Sequence, residues 1–278
     1  MVRIVTDSTT YLDESFIKEN DIKIVPLKVS FGEKHFREGM DITTNEFYKY
    51  LIESKSLPKT SQPSAQDFID VYKPILEKGD DIISIHISGG LSGTINTATL
   101  AKKTLNTEKI CVVDSLSTAL IIRFLIEKTL ELIKNEENFE HICSSVKTQV
   151  KKMLSRFILD DLDYMVKGGR LNRAEALAGS ILHIRPIVSF TNGKAKVEGI
   201  SRSWKKAKAR LLHYAEKINN NTGINKIGVH CGANLEEGKE FKQEIEKILK
   251  IPTALLQVGS ILGTYGGPKW IGLGIETK

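Results

Sequence analysis

Residues 81–103 read DIISIHISGGLSGTINTATLAKK. Asp81–Ile87 is a short isoleucine-rich run, the pattern of a buried strand. It gives way to a small polar loop, Ser88-Gly89-Gly90-Leu91-Ser92-Gly93-Thr94, and then to a helical stretch over Ile95–Lys103. A strand that passes through a glycine loop into a helix opens a βαβ unit, and the same alternation continues on either side. Val2–Thr6, Ile22–Val29 and Lys109–Val113 read as further strands, with helices over Glu14–Asn20, Glu46–Ser54 and Ala65–Lys78. Thr44 and Ser64 are placed to cap two of these, Ser64 with Asp67 three residues on. Pro74 is expected to kink or break its helix. The predicted fold class is α/β with mainly parallel sheets.

Ser117–Lys134 and Phe139–Ser155 read as two helices that close a Rossmann-like α/β domain over residues 1–155. A second α/β domain is expected over residues 156–278. It begins with a strand at Phe157–Leu159 and a helical stretch around Glu175–Leu182. Asn192-Gly193, between Pro186–Phe190 and Lys194–Gly199, is a strong hairpin signal. A basic helix over Trp204–Ile218 precedes another βαβ-like unit: strand Lys226–Cys231, helix Leu235–Leu249, strand Thr253–Val258. The glycine-rich segment Gly266–Ile275 ends as a strand.

The 278 residues are 41% hydrophobic and 27% charged, which excludes a disordered, collagenous or small disulfide-built chain. A net charge of +6 over that length is too dilute to imply nucleic acid. Cys111, Cys143 and Cys231 lack metal-binding spacing and are odd in number, which argues for a reducing compartment and against a disulfide framework. The N-terminus reaches Asp7 at once, unlike a signal peptide. The longest apolar run, Ala119–Ile126, is broken by Arg123 and is far short of a membrane span. A cytoplasmic protein without stable membrane insertion is expected.

In open α/β sheets ligands bind beyond the carboxyl ends of the strands. Three such ends are small and polar: Thr6-Asp7-Ser8, Ser88–Thr94 and Asp114-Ser115. The Ser88–Thr94 loop opens a helix whose free N–H groups suit a carboxylate or phosphate. It lacks the spacing of dinucleotide and P-loop motifs, and Thr94 spoils a nucleophile elbow. Asp7 and Asp114 read as loop caps rather than metal ligands, and His86 and His230 as structural histidines within strands. Thr60–Ser64 and Lys167–Arg170 are further polar clusters. Arg202, Lys205, Lys206, Lys208 and Arg210 form a basic face that reads as solvated. A serine-dependent hydrolase of a small ester or phosphate, built on Ser92, is the alternative reading. It would need a base in reach of that hydroxyl.

Taken in order, Thr6–Ser8, Thr60–Ser64, Leu91–Thr94, Val113–Ser115, Lys167–Arg170 and Gly267-Pro268 resemble the motifs of the DegV family across essentially the whole chain. The resemblance implies two α/β domains with a ligand tunnel at their interface. The tunnel would hold one long-chain fatty acid such as palmitate, stearate or oleate. It implies a lipid-binding protein without metal or cofactor, which presents the acid to the ATP-binding subunit of a separate fatty acid kinase. Thr60, Ser92 and the backbone N–H groups of Gly93 and Thr94 would bind the carboxylate. Arg170 and Arg202 would serve partner docking and phosphoryl transfer. Tyr265 stands where the family has a histidine. It keeps a hydrogen-bond donor but gives up a charge switch near neutral pH.

Overall fold

The computed structural model describes residues 1–54, 56–172 and 184–278. β1 (Val2–Asp7) leads through a short turn at Ser8–Thr10 and α1 (Glu14–Glu19) to β2 (Lys23–Val25). Pro26 has no N–H to give to a sheet, so the single strand expected over Ile22–Val29 is two. The second, β3 (Lys28–Phe31), pairs antiparallel with β4 (Lys34–Arg37) and β5 (Lys59–Ser61) in a separate small sheet. Between these last two lies α2 (Thr44–Glu53), capped by Thr43 rather than Thr44. The Thr43 hydroxyl accepts from the Glu46 N–H, and the Glu46 carboxylate accepts from the Thr43 N–H. Ser64 and Asp67 cap α3 (Ala65–Glu77) in the same reciprocal way. Pro74 does not break that helix; it lies in the last turn on the exposed side. With β6 (Asp81–His86), α4 (Thr94–Thr104) and β7 (Ile110–Asp114), the first sheet is complete: four parallel strands in the order β2-β1-β6-β7.

α5 (Leu120–Lys134) and α6 (Phe139–Gln149) follow. The next strand, β8 (Met153–Leu159), starts earlier than expected, and residue 155 falls inside it. After α7 (Asp163–Lys167) come the hairpin β9 (Arg185–Thr191) and β10 (Lys194–Ser201), α8 (Trp204–Asn221), β11 (Ile224–Cys231), α9 (Leu235–Leu249), β12 (Thr253–Gln257), α10 (Ser260–Gly266) and β13 (Trp270–Thr277). The helical stretch expected around Glu175–Leu182 lies outside the described residues.

The second sheet has the order β10-β9-β8-β13-β11-β12, and within it only β11 and β12 run parallel. This corrects the expectation of mainly parallel sheets. The Asn192-Gly193 turn, with both residues at positive φ, folds β9 back on β10. β13 returns between β8 and β11, antiparallel to both.

The sheets stack with helices in alternate layers. α3 and α4 cover one face of the first sheet through Val5, Ile82, Phe68, Tyr72 and Ala98. Its other face, with Ile4, Ile83, Ile85 and Val113, packs on α5. The far side of α5 packs on the second sheet, whose outer face is closed by α8 and α9 around Ile158, Val229, Leu211 and Phe241. Gly228 and Gly274 allow this approach: a Cβ at either would come within 2.8 or 3.0 Å of the Leu120 side chain.

Cys111 on β7 and Cys143 on α6 are joined by a disulfide, with Cα atoms 6.0 Å apart. This corrects the reading of the cysteines, and the argument from them to a reducing compartment loses its support. The packing of α6 across β7 unites positions whose sequence spacing carries no such signal. Cys231 is free and buried. No helix among the described residues is long and apolar enough to cross a membrane.

Glu38, just after β4, is almost fully buried. Its carboxylate accepts from the Ser8 hydroxyl at 2.8 Å, the Ser260 hydroxyl at 3.0 Å and the Ile261 N–H at 2.7 Å. It thereby ties the small sheet to α10. Burial outweighs these bonds and pushes its pKa from 4.5 up to about 7. The folded state therefore holds this proton more tightly than the unfolded chain. The stabilisation is full below pH 4.5 and is lost as pH rises to 7, on the order of 3 kcal/mol at most. Denaturant melts of Glu38→Gln across this range are expected to lack that slope, because the amide can replace the protonated acid but cannot ionise.

Candidate ligand-binding site

Beyond the carboxyl ends of the first sheet, against the inner face of the second, lies a cavity of about 370 Å³, within the range of small-ligand pockets. Its walls are mostly apolar: Ile87 and Leu91 after β6, Phe157 and Leu159 on β8, Met165 on α7, Phe190 on β9, Ile261 and Leu262 on α10, and Trp270 on β13. Strand alternation explains the sheet's share. Phe157 and Leu159 face the cavity, while Ile158 between them faces the outer helices.

A cluster of polar side chains interrupts these walls. The Thr60 hydroxyl on β5 is hydrogen-bonded to the Tyr265 hydroxyl on α10. The Tyr265 ring lies against the backbone of Gly168, where a Cβ would come 2.5 Å from it. Gly169, at φ +73°, then turns the chain so that the Arg170 guanidinium covers the ring, 4.3 Å from its centroid. Arg170 is held there by donating from Nε to the Leu91 carbonyl at 3.1 Å and from Nη1 to the Gly168 carbonyl at 2.7 Å. The Ser92 hydroxyl pairs with the Thr94 hydroxyl at 2.9 Å and accepts from the Thr94 N–H at 3.4 Å.

Of the residues singled out in the sequence, Thr60, Ser92, Arg170 and Tyr265 meet at this cavity. Gly93 and Thr94 adjoin Ser92 at the start of α4 but do not form its wall, and the Gln62 amide lies over Gly93. Arg202 is exposed between β10 and α8, away from the walls. Ser61, Gln62, Thr118, His230 and Trp270 also line the cavity and were not anticipated. Gln62 had a signal, since it lies inside the Thr60–Ser64 cluster. Ser61 shares that signal, while Thr118, His230 and Trp270 sit in apolar or unremarkable contexts that offer none.

Three hydroxyls and a guanidinium make a donor-rich cluster, and among the described residues the walls contain no carboxylate. Such a site can grip an anionic head by charge-assisted hydrogen bonds. It is poorly equipped for nucleophilic chemistry: the hydrogen bonds of the Ser92 hydroxyl go to Thr94, not to an imidazole. His86 donates or accepts deep in the core, between Asp7 at 3.1 Å and Ser84 at 2.6 Å. Asp7 and Asp114 cap loops, accepting from the N–H groups of Thr9 and Ile87, and of Gly89 and Leu116. No cluster of metal-binding side chains exists among the described residues.

Comparison with known proteins gives consistent matches over full length. A family model described as an uncharacterised protein of the DegV family matches residues 1–278. A DegV domain-containing protein of Listeria innocua is 33% identical over 274 residues, covering 98% of this chain and 97% of its own. The crystal structure of a stearic acid-binding protein from Eubacterium ventriosum aligns with a TM-score of 0.91 at 30% identity, over 100% of this chain and 99% of that one. DegV from Bacillus subtilis, described as a fatty acid binding protein, aligns with a TM-score of 0.89 at 30% identity and the same coverage.

The cavity is flanked by one strained residue. Thr118 lines it, and the next residue, Ala119, precedes α5 as its N-cap at φ 50°, ψ −118°, fully buried with its N–H given to the Thr9 carbonyl at 3.1 Å. That conformation suits glycine and costs other residues about 1–3 kcal/mol. Ala119→Gly is expected to stabilise the protein by roughly 1 kcal/mol after the added flexibility of the unfolded chain. A rise in the urea midpoint at unchanged m-value is the check.

Proposed function

The chain belongs to the DegV family, and on that premise we propose that it binds one long-chain fatty acid, palmitate, stearate or oleate in type, with its tail in the apolar cavity. The carboxylate is bound by Thr60, Ser92, Tyr265 and Arg170, with the backbone N–H groups of Gly93 and Thr94 behind Ser92. The chain acts as a carrier, not as a complete enzyme. It presents the carboxylate to a separate ATP-using fatty acid kinase subunit that docks over Arg202 and the rim near Arg170. In this reading the two α/β domains, expected over residues 1–155 and 156–278 but parting before β8 at Met153, close around the ligand as the walls of a tunnel. The observation that carries the proposal is the cavity itself: apolar walls around one cluster of donors, with no carboxylate in the walls and no base paired with Ser92 among the described residues.

Energies assign the roles. Burying a sixteen-carbon chain at about 0.8 kcal/mol per methylene yields roughly 11 kcal/mol before ordering costs. A hydrogen bond to a charged group adds about 1.5–3 kcal/mol. The tail therefore sets affinity, and the donor cluster sets which end points to the opening.

Mass spectrometry of an organic extract of the purified protein is expected to find one long-chain fatty acid per chain. Absence of lipid, together with no binding of added palmitate or oleate, would sink the proposal. Tyr265→Phe keeps the ring under Arg170 but removes the hydroxyl bonded to Thr60, and is expected to weaken binding about fivefold. Unchanged affinity would show that the phenol does not hold the head. Arg202→Glu should leave lipid binding intact and reduce phosphorylation by a cognate kinase. Covalent labelling of Ser92 by a fluorophosphonate would instead favour a hydrolase.

A further inference from the structure

His230 lines the cavity from β11, is 1% exposed, and neither nitrogen of its ring has a hydrogen-bond partner among the described residues. Leaving one buried polar atom unpaired is costly, and here a single side chain leaves two. The room for the ring is built into the neighbouring strand. His230 is opposite Gly272, and a Cβ on Gly272 would collide with the imidazole Nε2, while Phe157 closes the next position across the sheet. The Trp270 ring lies edge-on at 5.3 Å. None of these neighbours takes up either nitrogen. Burial holds the ring neutral, with its pKa pushed down to about 3. A neutral imidazole offers one N–H donor and one lone pair. The hydrogen bonds of the Thr60–Tyr265–Arg170 cluster do not extend to it, so beside the lining Ser61, Gln62 and Thr118 and the unpaired Nε1 of Trp270 it is a further polar point on a mostly apolar wall.

We propose that His230 reads a hydroxyl carried part-way along the acyl chain, so that this cavity prefers a hydroxylated long-chain acid to an unsubstituted one. The proposal rests on the fatty-acid reading above and specifies its ligand class. A hydroxyl both donates and accepts, so it pairs with the ring in either tautomer. A methylene at the same depth pairs with neither nitrogen.

The test is binding of stearate, oleate and a positional series of monohydroxystearates to the lipid-stripped wild type and to His230→Phe. In the wild type, one isomer or two adjacent ones are expected to bind about tenfold more tightly than stearate, the upper range for one net hydrogen bond. Isomers that place the hydroxyl against the apolar walls bury it unpaired and should bind more weakly than stearate. His230→Phe should abolish the preference and bind stearate at least as well. A series without a preferred position, as when a water pairs the ring, overturns the proposal. So does a preference that survives His230→Phe, or a loss in that variant confined to oleate, which would mean that the ring reads a double bond. Failure of the wild type to bind any of these acids would defeat the fatty-acid reading itself, whereas stearate binding with a flat series defeats only the role of His230. Nitrogen-15 NMR of labelled histidine in the wild type gives a readout independent of the variant's folding. The His230 ring nitrogens should shift on adding the preferred isomer and not on adding stearate; equal shifts with both would count against the proposal.

Discussion

Helix α5 has no side that it can show to water over its first two turns. Leu120, Ile121, Ile122, Phe124, Leu125 and Ile126 are each at most 2% exposed. A helix that is apolar all round must be enclosed, and one sheet can cover only one side of it. The second sheet supplies the other cover, on condition that its strands bring little bulk to the contact. Gly228 and Gly274 meet that condition beneath Leu120. Arg123 is the one charged residue in these turns. It escapes at the edge, stacked on Phe16 and bonded to Glu127 at 3.1 Å. The spacing of the two sheets, and with it the gap that becomes the cavity just before α5, follows from this enclosure.

The donor cluster depends on a second, polar constraint. Its members come from segments far apart in the chain: Thr60 from the small sheet, Tyr265 from α10, Arg170 from the turn after α7. Glu38 joins the first two, since it reaches from the end of β4 to the N-terminus of α10. The Leu262 N–H, donated to the Tyr11 hydroxyl at 3.1 Å, holds the same helix from another side. With α10 fixed, Tyr265 can rest between Gly168 and Arg170 and still reach Thr60. A cluster of few polar side chains is thus kept in register by buried polar bonds that lie outside the cavity walls.

Much of the first half was legible because local chemistry decided it: isoleucine strands, glycine loops, and the Ser64–Asp67 cap. The Asn192-Gly193 hairpin was legible for the same reason. The direction of β13 was not, since nothing local to Trp270–Thr277 states which strands it will pair with. The break at Pro26 is written in the proline itself, but the hydrophobic run on either side of it has the look of one continuous strand. At the cavity, Thr60, Ser92, Arg170 and Tyr265 stood out in the sequence and the apolar walls did not, because a cavity-lining Phe157 has the same sequence appearance as a core Ile158. His230 is the instructive case. Its place in a strand suggested a satisfied structural residue, and only the sheet register shows that it faces a space rather than a partner.

β13 has one more consequence, for the chain during synthesis. It comes after the twelve other described strands, yet it lies in the interior of the second sheet, between β8 and β11. Until residues 270–277 have left the ribosome, that sheet is two fragments, β10-β9-β8 and β11-β12, each with an open edge. Such edges can pair with other chains, and pairings so distant in sequence form slowly. The half-made protein is therefore most exposed to aggregation in the interval between the emergence of β11 and that of β13, and the apolar wall contributed by Trp270 is among the last parts of the cavity to arrive.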